Sequence, residues 1–95
     1  MILQEVYEIF KSSSQIHRIM HHLEKEQYLS TRGYMEDAIE ELEHEALYEK
    51  DNGKRTHMIG IIQSMNNIYS EVINIITINK INVESSPVLQ EPRNL

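Results

Sequence analysis

The segment MIGIIQSMNNIYSEVINIITI, residues 58–78, is the part of this chain that decides the fold, because Glu71 is its only charged residue. Its apolar residues recur with the spacing of a helix face and predict a helix over about 57–79. One neighbouring helix covers too little of this surface, so we expect packing on several sides, by the same chain or by a partner. The predicted interface consists of Met58, Ile61, Ile62, Met65, Tyr69, Val72, Ile73 and Ile76.

This segment is long enough to cross a bilayer, but its middle contains seven polar residues, among them Gln63, Asn67 and Glu71. Polar groups are costly in hydrocarbon, so we predict no membrane insertion. The first residues, MILQEVYEIF, lack the basic start of a signal peptide, and we expect a cytoplasmic protein. The chain has no cysteine, which excludes disulfides and thiolate metal sites.

The chain length and the net charge exclude further classes of function. The chain has 95 residues, enough for one small domain. Its formal net charge is −6, and its basic residues are scattered. Nucleic-acid binding depends on Lys and Arg that neutralise phosphates, so we expect no direct nucleic-acid partner. Residues 1–80 are predicted to form one helical domain, followed by a flexible tail over 81–95 with two prolines and no periodicity.

Two other helical stretches precede the C-terminal helix. The pattern over 34–50 predicts a helix whose apolar stripe runs from Met35 to Ala46 and Leu47, and a turn at Asp51-Asn52-Gly53 joins it to the last helix. A cap at Thr56 would start that helix. The N-terminal segment 2–28 reads either as one long helix or as two, with a possible capping box at Ser12-x-x-Gln15. A break is predicted over residues 29–33, which contain Gly33.

These elements predict an all-α fold: an antiparallel helical hairpin with an additional N-terminal helical segment. Because the last helix is so apolar, we expect two copies to associate into a dimeric helical bundle. The end of that helix has an alternative, since the β-branched residues of ITINKINV (residues 76–83) also suit a short strand. We favour the helix.

Two clusters of polar residues are candidate sites. Acidic side chains on the helix over 34–50 form a predicted acidic surface: Glu36, Glu40, Glu41 and Glu45. His17, His21 and Glu24 have i, i+4, i+7 spacing and are weak candidate metal ligands, with no fourth ligand nearer than His44 or His57. Surface histidines beside an apolar stripe usually bind no metal, so we predict no metal centre and no cofactor.

No motif for catalysis is present in the sequence. The three glycines at 33, 53 and 60 stand alone, and there is no GxSxG and no cysteine nucleophile. We therefore predict a non-enzymatic protein–protein interaction module, such as an adaptor, chaperone or inhibitor, that acts on itself or another protein through an apolar helix surface. The first alternative is an acidic mimic of nucleic acid that blocks a basic protein. The second is a small metal- or ligand-binding protein.

Overall fold

The computed structural model of this chain describes residues 3–84, with side chains described through Lys80. These residues form four α-helices: α1 (Leu3–Phe10), α2 (Ile16–Glu24), α3 (Tyr28–Tyr48) and α4 (Asn52–Glu84). Each helix packs on the next, and α1 also packs on α4. Short loops between neighbouring helices make an up-down-up-down four-helix bundle. The all-α prediction is confirmed, while association into a dimer stays a prediction.

The core of the bundle receives side chains from every helix. Phe10, Ile19, Met35 and Val72 are each completely or almost completely shielded from solvent. Most of the remaining core residues are aliphatic and come from the inward faces of α2, α3 and α4. Burial of each such side chain stabilises the fold by about 1.5–3 kcal/mol, which lets the short helices α1 and α2 form at all.

The N-terminal segment is two helices rather than one. Helix α1 ends at Phe10, and residues 11–15 form turns before α2 begins at Ile16. The predicted capping box at Ser12 is not formed; instead the Ser13 hydroxyl accepts the amide hydrogen of Gln15 at 3.0 Å. This change of direction lets α1 lie along α4 while α2 lies along α3.

The break predicted over residues 29–33 is wrong, because these residues lie inside α3. The chain turns earlier, at Glu26, which has a positive φ of 57°. The amide of Glu26 donates to the carbonyl of Leu23, and the amide of Gln27 donates to that of His22. These two bonds are the Schellman pattern that ends a helix, here with glutamate where glycine is usual.

Helix α4 begins earlier and ends later than predicted. Asp51 caps it by accepting the amide hydrogen of Lys54 at 3.0 Å, so Asn52 and Gly53 belong to the first turn. Thr56, the predicted cap, lies within the helix, where its hydroxyl donates to the Asn52 carbonyl. The helix continues to Glu84, so the strand alternative is wrong and residues 81–84 are not part of a tail. The remainder of the predicted tail, 85–95, lies outside the described residues.

Among the helices described, none is both long enough and apolar enough to span a membrane.

Candidate interaction surfaces

Most of the predicted interface on α4 packs inside the chain's own bundle. Met65 and Val72 are core residues with 1% and 0% exposure, which places them beyond the reach of a partner. The other six residues, including Ile73, are half-buried. Five of them pack against the core: Met58, Ile61, Ile62, Tyr69 and Ile76. The stripe is covered because the N-terminal segment folds back as two helices and places α1 against α4.

The large apolar side chains that remain most exposed lie on α3 rather than on α4. Among the described residues, Leu47 is 71% exposed, Tyr48 69% and Leu29 66%, ahead of Ile78 and Ile59 on α4. The sequence pattern predicts Leu47 in the buried stripe of α3 and Leu29 in a break before it, and both predictions are wrong. Leu42 and Ala46 do point into the core. Leu47 lies one position further round the helix, about 100° away, and so points outward.

Leu29 and Leu47 lie on one line along α3. They are 18 positions apart, which is about five helical turns and about 27 Å. The exposed residues on and beside this line, together with the half-buried Gly33, are called here the outer face of α3: Leu29, Gly33, Glu36, Asp37, Glu40, Glu43, His44, Leu47 and Tyr48. Helix α2 covers one side of α3, where His22 stacks on Tyr34, and α4 covers another. Within residues 3–84 no helix covers this outer face, although Leu29 at its start lies beside the last turns of α4.

The predicted acidic surface divides into two parts. Glu36, Glu40 and Glu45 are exposed, as is Asp37 between them. Glu36 accepts a hydrogen bond from the Tyr69 hydroxyl, which raises the pKa of Tyr69, and lies 3.9 Å from the Arg32 guanidinium. No ion pair within the described residues involves Asp37 or Glu40.

Glu41 belongs instead to the contact between α3 and the loop that joins α1 and α2. Its carboxylate accepts the Ser14 hydroxyl at 2.6 Å, the Ser13 hydroxyl at 3.0 Å and the Ser14 amide at 3.2 Å. The bond from the Ser14 hydroxyl lowers the pKa of Glu41 below its ordinary value, and the bonds from the Ser14 amide and Ser13 add to that effect, while partial burial opposes it. Sequence spacing could not reveal this role, because the partners are 27 and 28 residues away.

Replacing Glu41 with alanine is expected to destabilise the fold by about 1 kcal/mol at pH 7, because the loop loses hydrogen bonds to a charged, partly solvated acceptor. The folded-state pKa lies below the unfolded value of about 4.3. The stabilisation is therefore fully present above that pH and is lost as the pH falls through the folded-state pKa. Urea unfolding at pH 7 and pH 3 measures both effects.

The matched control is Glu40→Ala, which removes the same charge from the adjacent, exposed position. We expect it to change stability by less than about 0.5 kcal/mol at either pH. Equal effects of the two substitutions, or a Glu41→Ala effect that does not shrink in acid, would contradict the assigned role.

The candidate metal ligands are exposed on α2. His17, His21 and Glu24 all face solvent. Within the described part of the chain, no three His, Cys, Asp or Glu side chains are placed to hold a metal ion together. His22, beside His21, accepts or donates a hydrogen bond with the Gln27 side chain at 2.7 Å and has a structural position between α2 and α3. Nothing in this arrangement favours the metal-binding alternative.

Two shallow grooves lie at opposite ends of the bundle. One, of about 630 Å³, separates the end of α1 from the start of α4 and is lined by Ile9, His57 and Ile61 among others. The other, of about 770 Å³, lies between the start of α3 and the last turns of α4, where Leu29, Arg32, Ile76 and Lys80 meet. Neither brings together side chains predicted from the sequence to form a site.

No known protein family, curated protein or solved structure matches this chain significantly.

Proposed function

We propose that this chain is a non-enzymatic protein–protein interaction module that binds its partner through the outer face of α3. The observation that carries the proposal is the position of Leu29, Leu47 and Tyr48. These are the three most exposed large apolar side chains of the described residues, and all three lie on the outer face of α3, where Leu29 also borders the groove beside the last turns of α4. Single exposed apolar residues are normal on protein surfaces, but their concentration on one open face favours a binding surface.

The proposed surface differs from the one predicted on α4. The α4 stripe packs against α3 and α1 and is part of the fold. A protein that acts as an adaptor, chaperone or inhibitor needs apolar anchors that its own core does not use. Leu29 and Leu47 meet this requirement, because removing their exposed side chains takes little away from the packing of the bundle.

The partner is proposed to be a different protein rather than a second copy. Two α3 outer faces packed antiparallel would place each Leu29 against the other copy's Leu47. The same packing would bring Asp37 and Glu40 of both copies together, and like charges at such a contact are unfavourable. Sedimentation at pH 7 is therefore expected to give a monomer at micromolar concentration, and a stable dimer would revive self-association.

Photo-crosslinking in the native cell tests the proposed function. A photoreactive phenylalanine analogue at Tyr48 is expected to form an adduct with one partner, which mass spectrometry identifies. The matched control carries the analogue at Tyr7, which is 47% exposed on α1, and should not capture that partner.

The purified partner should bind the unmodified chain, and Leu47→Asp should weaken binding by at least about tenfold while the fold is kept. Equal capture from Tyr7 and Tyr48, or binding unaffected by Leu47→Asp, would overturn the assignment of this surface.

The acidic mimic is retained as a second candidate because Asp37 and Glu40 are exposed and free of ion pairs within the described residues. A mimic works by charge alone, so its binding to a basic protein falls steeply with salt and does not depend on Leu29 or Leu47. The interaction module loses affinity when either leucine is replaced. Comparing Leu47→Ala with Glu40→Lys against the same captured partner separates the two functions.

A further inference from the structure

We infer that the partner presents a basic amphipathic helix, which lies along the outer face of α3 with apolar side chains at its two ends and Lys or Arg between them. This inference rests on the proposed function and adds the chemistry of the partner. It is carried by the pattern along α3: an exposed leucine at each end, and carboxylates between the two.

The two apolar ends determine the length of the partner. Leu29 and Leu47 are about 27 Å apart along the helix axis, so one partner element that touches both spans about five helical turns. An extended strand of that length would leave its backbone groups without hydrogen-bond partners on a helical surface. A helix satisfies its own backbone and can lie beside α3 in the ordinary way for two packed helices.

The middle of the face determines the partner's charge. Asp37 and Glu40 are exposed between the leucines, and neither forms an ion pair with a described residue. An apolar or acidic partner would bury or oppose these carboxylates without compensation, which is unfavourable. Lys or Arg on the partner pairs with them, and the chain's net charge of −6 also favours approach by a basic segment.

A third feature of the outer face of α3 is the glycine at position 33. It lies inside α3, where glycine is less favourable than alanine by about 1 kcal/mol. An added Cβ atom would meet nothing within 4 Å, and the residue has no positive φ, so packing and backbone conformation within the chain do not require glycine. Because glycine has no side chain, a partner helix can approach the α3 backbone closely at this position, between Leu29 and the carboxylates.

The test uses the full chain, labelled with ¹⁵N, and a synthetic helical peptide of about 22 residues with two leucines about 18 positions apart and lysines between them on the same face. The lysine peptide is expected to shift amide resonances along the outer face of α3, with an affinity that falls as salt is added. The same peptide with glutamate for lysine should not bind. Shifts confined to α1 or α4, no shifts at all, or equal binding of both peptides would overturn the inference.

Two pairs of variants show which residues of the chain contribute to peptide affinity. Asp37→Lys with Glu40→Lys should abolish binding, whereas Glu5→Lys with Glu71→Lys changes the net charge equally on α1 and α4 and should reduce affinity only a few-fold. Leu29→Ala with Leu47→Ala should weaken binding by about tenfold to hundredfold, and Leu3→Ala on α1 should not. Equal losses within either pair would indicate charge attraction without a defined site and refute the inference.

Gly33→Gln distinguishes a binding role from a structural one. An added Cβ atom at Gly33 meets no atom within 4 Å, and glutamine is the better helix former, so the melting temperature should stay the same or rise. Peptide binding should nevertheless fall by about tenfold, because the added side chain holds the partner helix away from the α3 backbone. Gly60→Gln on α4, where an added Cβ atom also has open space, should leave binding unchanged. Unchanged peptide binding by Gly33→Gln would refute the close approach.

Failure of the inference differs from failure of the proposed function. A captured partner that is acidic, or that binds this face without a basic helix, removes the inference and leaves the interaction module standing. Absence of any partner adduct from Tyr48 in the native cell, with Tyr7 as the control, removes the function itself.

Discussion

Met65→Asp is expected to unfold the chain or to lower its free energy of unfolding by more than about 4 kcal/mol. Met65 is 1% exposed and lies in the core beside other α4 residues such as Ile68 and Val72. A carboxylate at this position has to be buried without an ion-pair partner or to be protonated, and either is costly. Far-UV circular dichroism and urea unfolding at pH 7 measure the effect.

The neighbouring substitution Asn66→Asp is the control. It introduces the same negative charge one position along α4, on an exposed side chain, and should change stability by less than about 0.5 kcal/mol. If Met65→Asp kept the stability of the unmodified chain, the α4 stripe would face solvent or a partner, and the packing of the four-helix bundle would be refuted.

Phe10→Ala is the second substitution with a large expected effect, a loss of about 3–5 kcal/mol. Phe10 is the only phenylalanine of the chain and is completely buried at the end of α1. A domain of this size is stabilised by about 5–15 kcal/mol in total, so this loss is a large fraction. Helix α1 has only eight residues and cannot persist without its buried contacts, so amide exchange in α1 should accelerate most.

Tyr7→Ala removes a similar aromatic ring from the same helix, but Tyr7 is 47% exposed. We expect it to cost clearly less than Phe10→Ala, about 1 kcal/mol. Urea midpoints of the two variants provide the comparison. Equal midpoints would mean that α1 does not insert Phe10 between the other helices, and the covering of α4 by α1 would then need another explanation.

The two classes of substitution separate folding from binding. Met65 and Phe10 act on stability, because the core surrounds them. Leu29 and Leu47 are 66% and 71% exposed, so their replacement should act on partner affinity with little effect on unfolding. A chain with both leucines replaced and an unchanged melting temperature is therefore a suitable reagent for the cellular crosslinking experiment.

The parts of the fold that were predicted correctly follow from the spacing of apolar residues along each helix. The spacing of Met35, Ala38 and Leu42 and of Met65, Ile68 and Val72 identifies the buried faces of α3 and α4, and all six are buried. The helix ends were harder to predict. Gly33 predicts a break that does not occur, while the turn after α2 is made at Glu26, a residue type that seldom adopts a positive φ.

The candidate site was only partly accessible from sequence. The acidic character of α3 follows from its composition, and Glu36, Glu40 and Glu45 are exposed as expected. The different role of Glu41 depends on hydroxyl groups of a distant loop. Leu47 is exposed because it lies about 100° around the helix from Ala46. A broad apolar stripe in the sequence does not distinguish these two adjacent positions.

By itself, the sequence determined that the chain is helical, that α3 and α4 form an antiparallel pair, and that α4 must be covered, since periodicity and short turns are local properties. Only the tertiary structure decided what covers α4. An apolar helix face gains a similar free energy whether it packs against its own chain or against a partner. The sequence pattern is the same in both cases. The direction in which the chain turns at residues 11–15 and at Glu26 brings α1 and α2 onto the hairpin, and this packing leaves the outer face of α3 open.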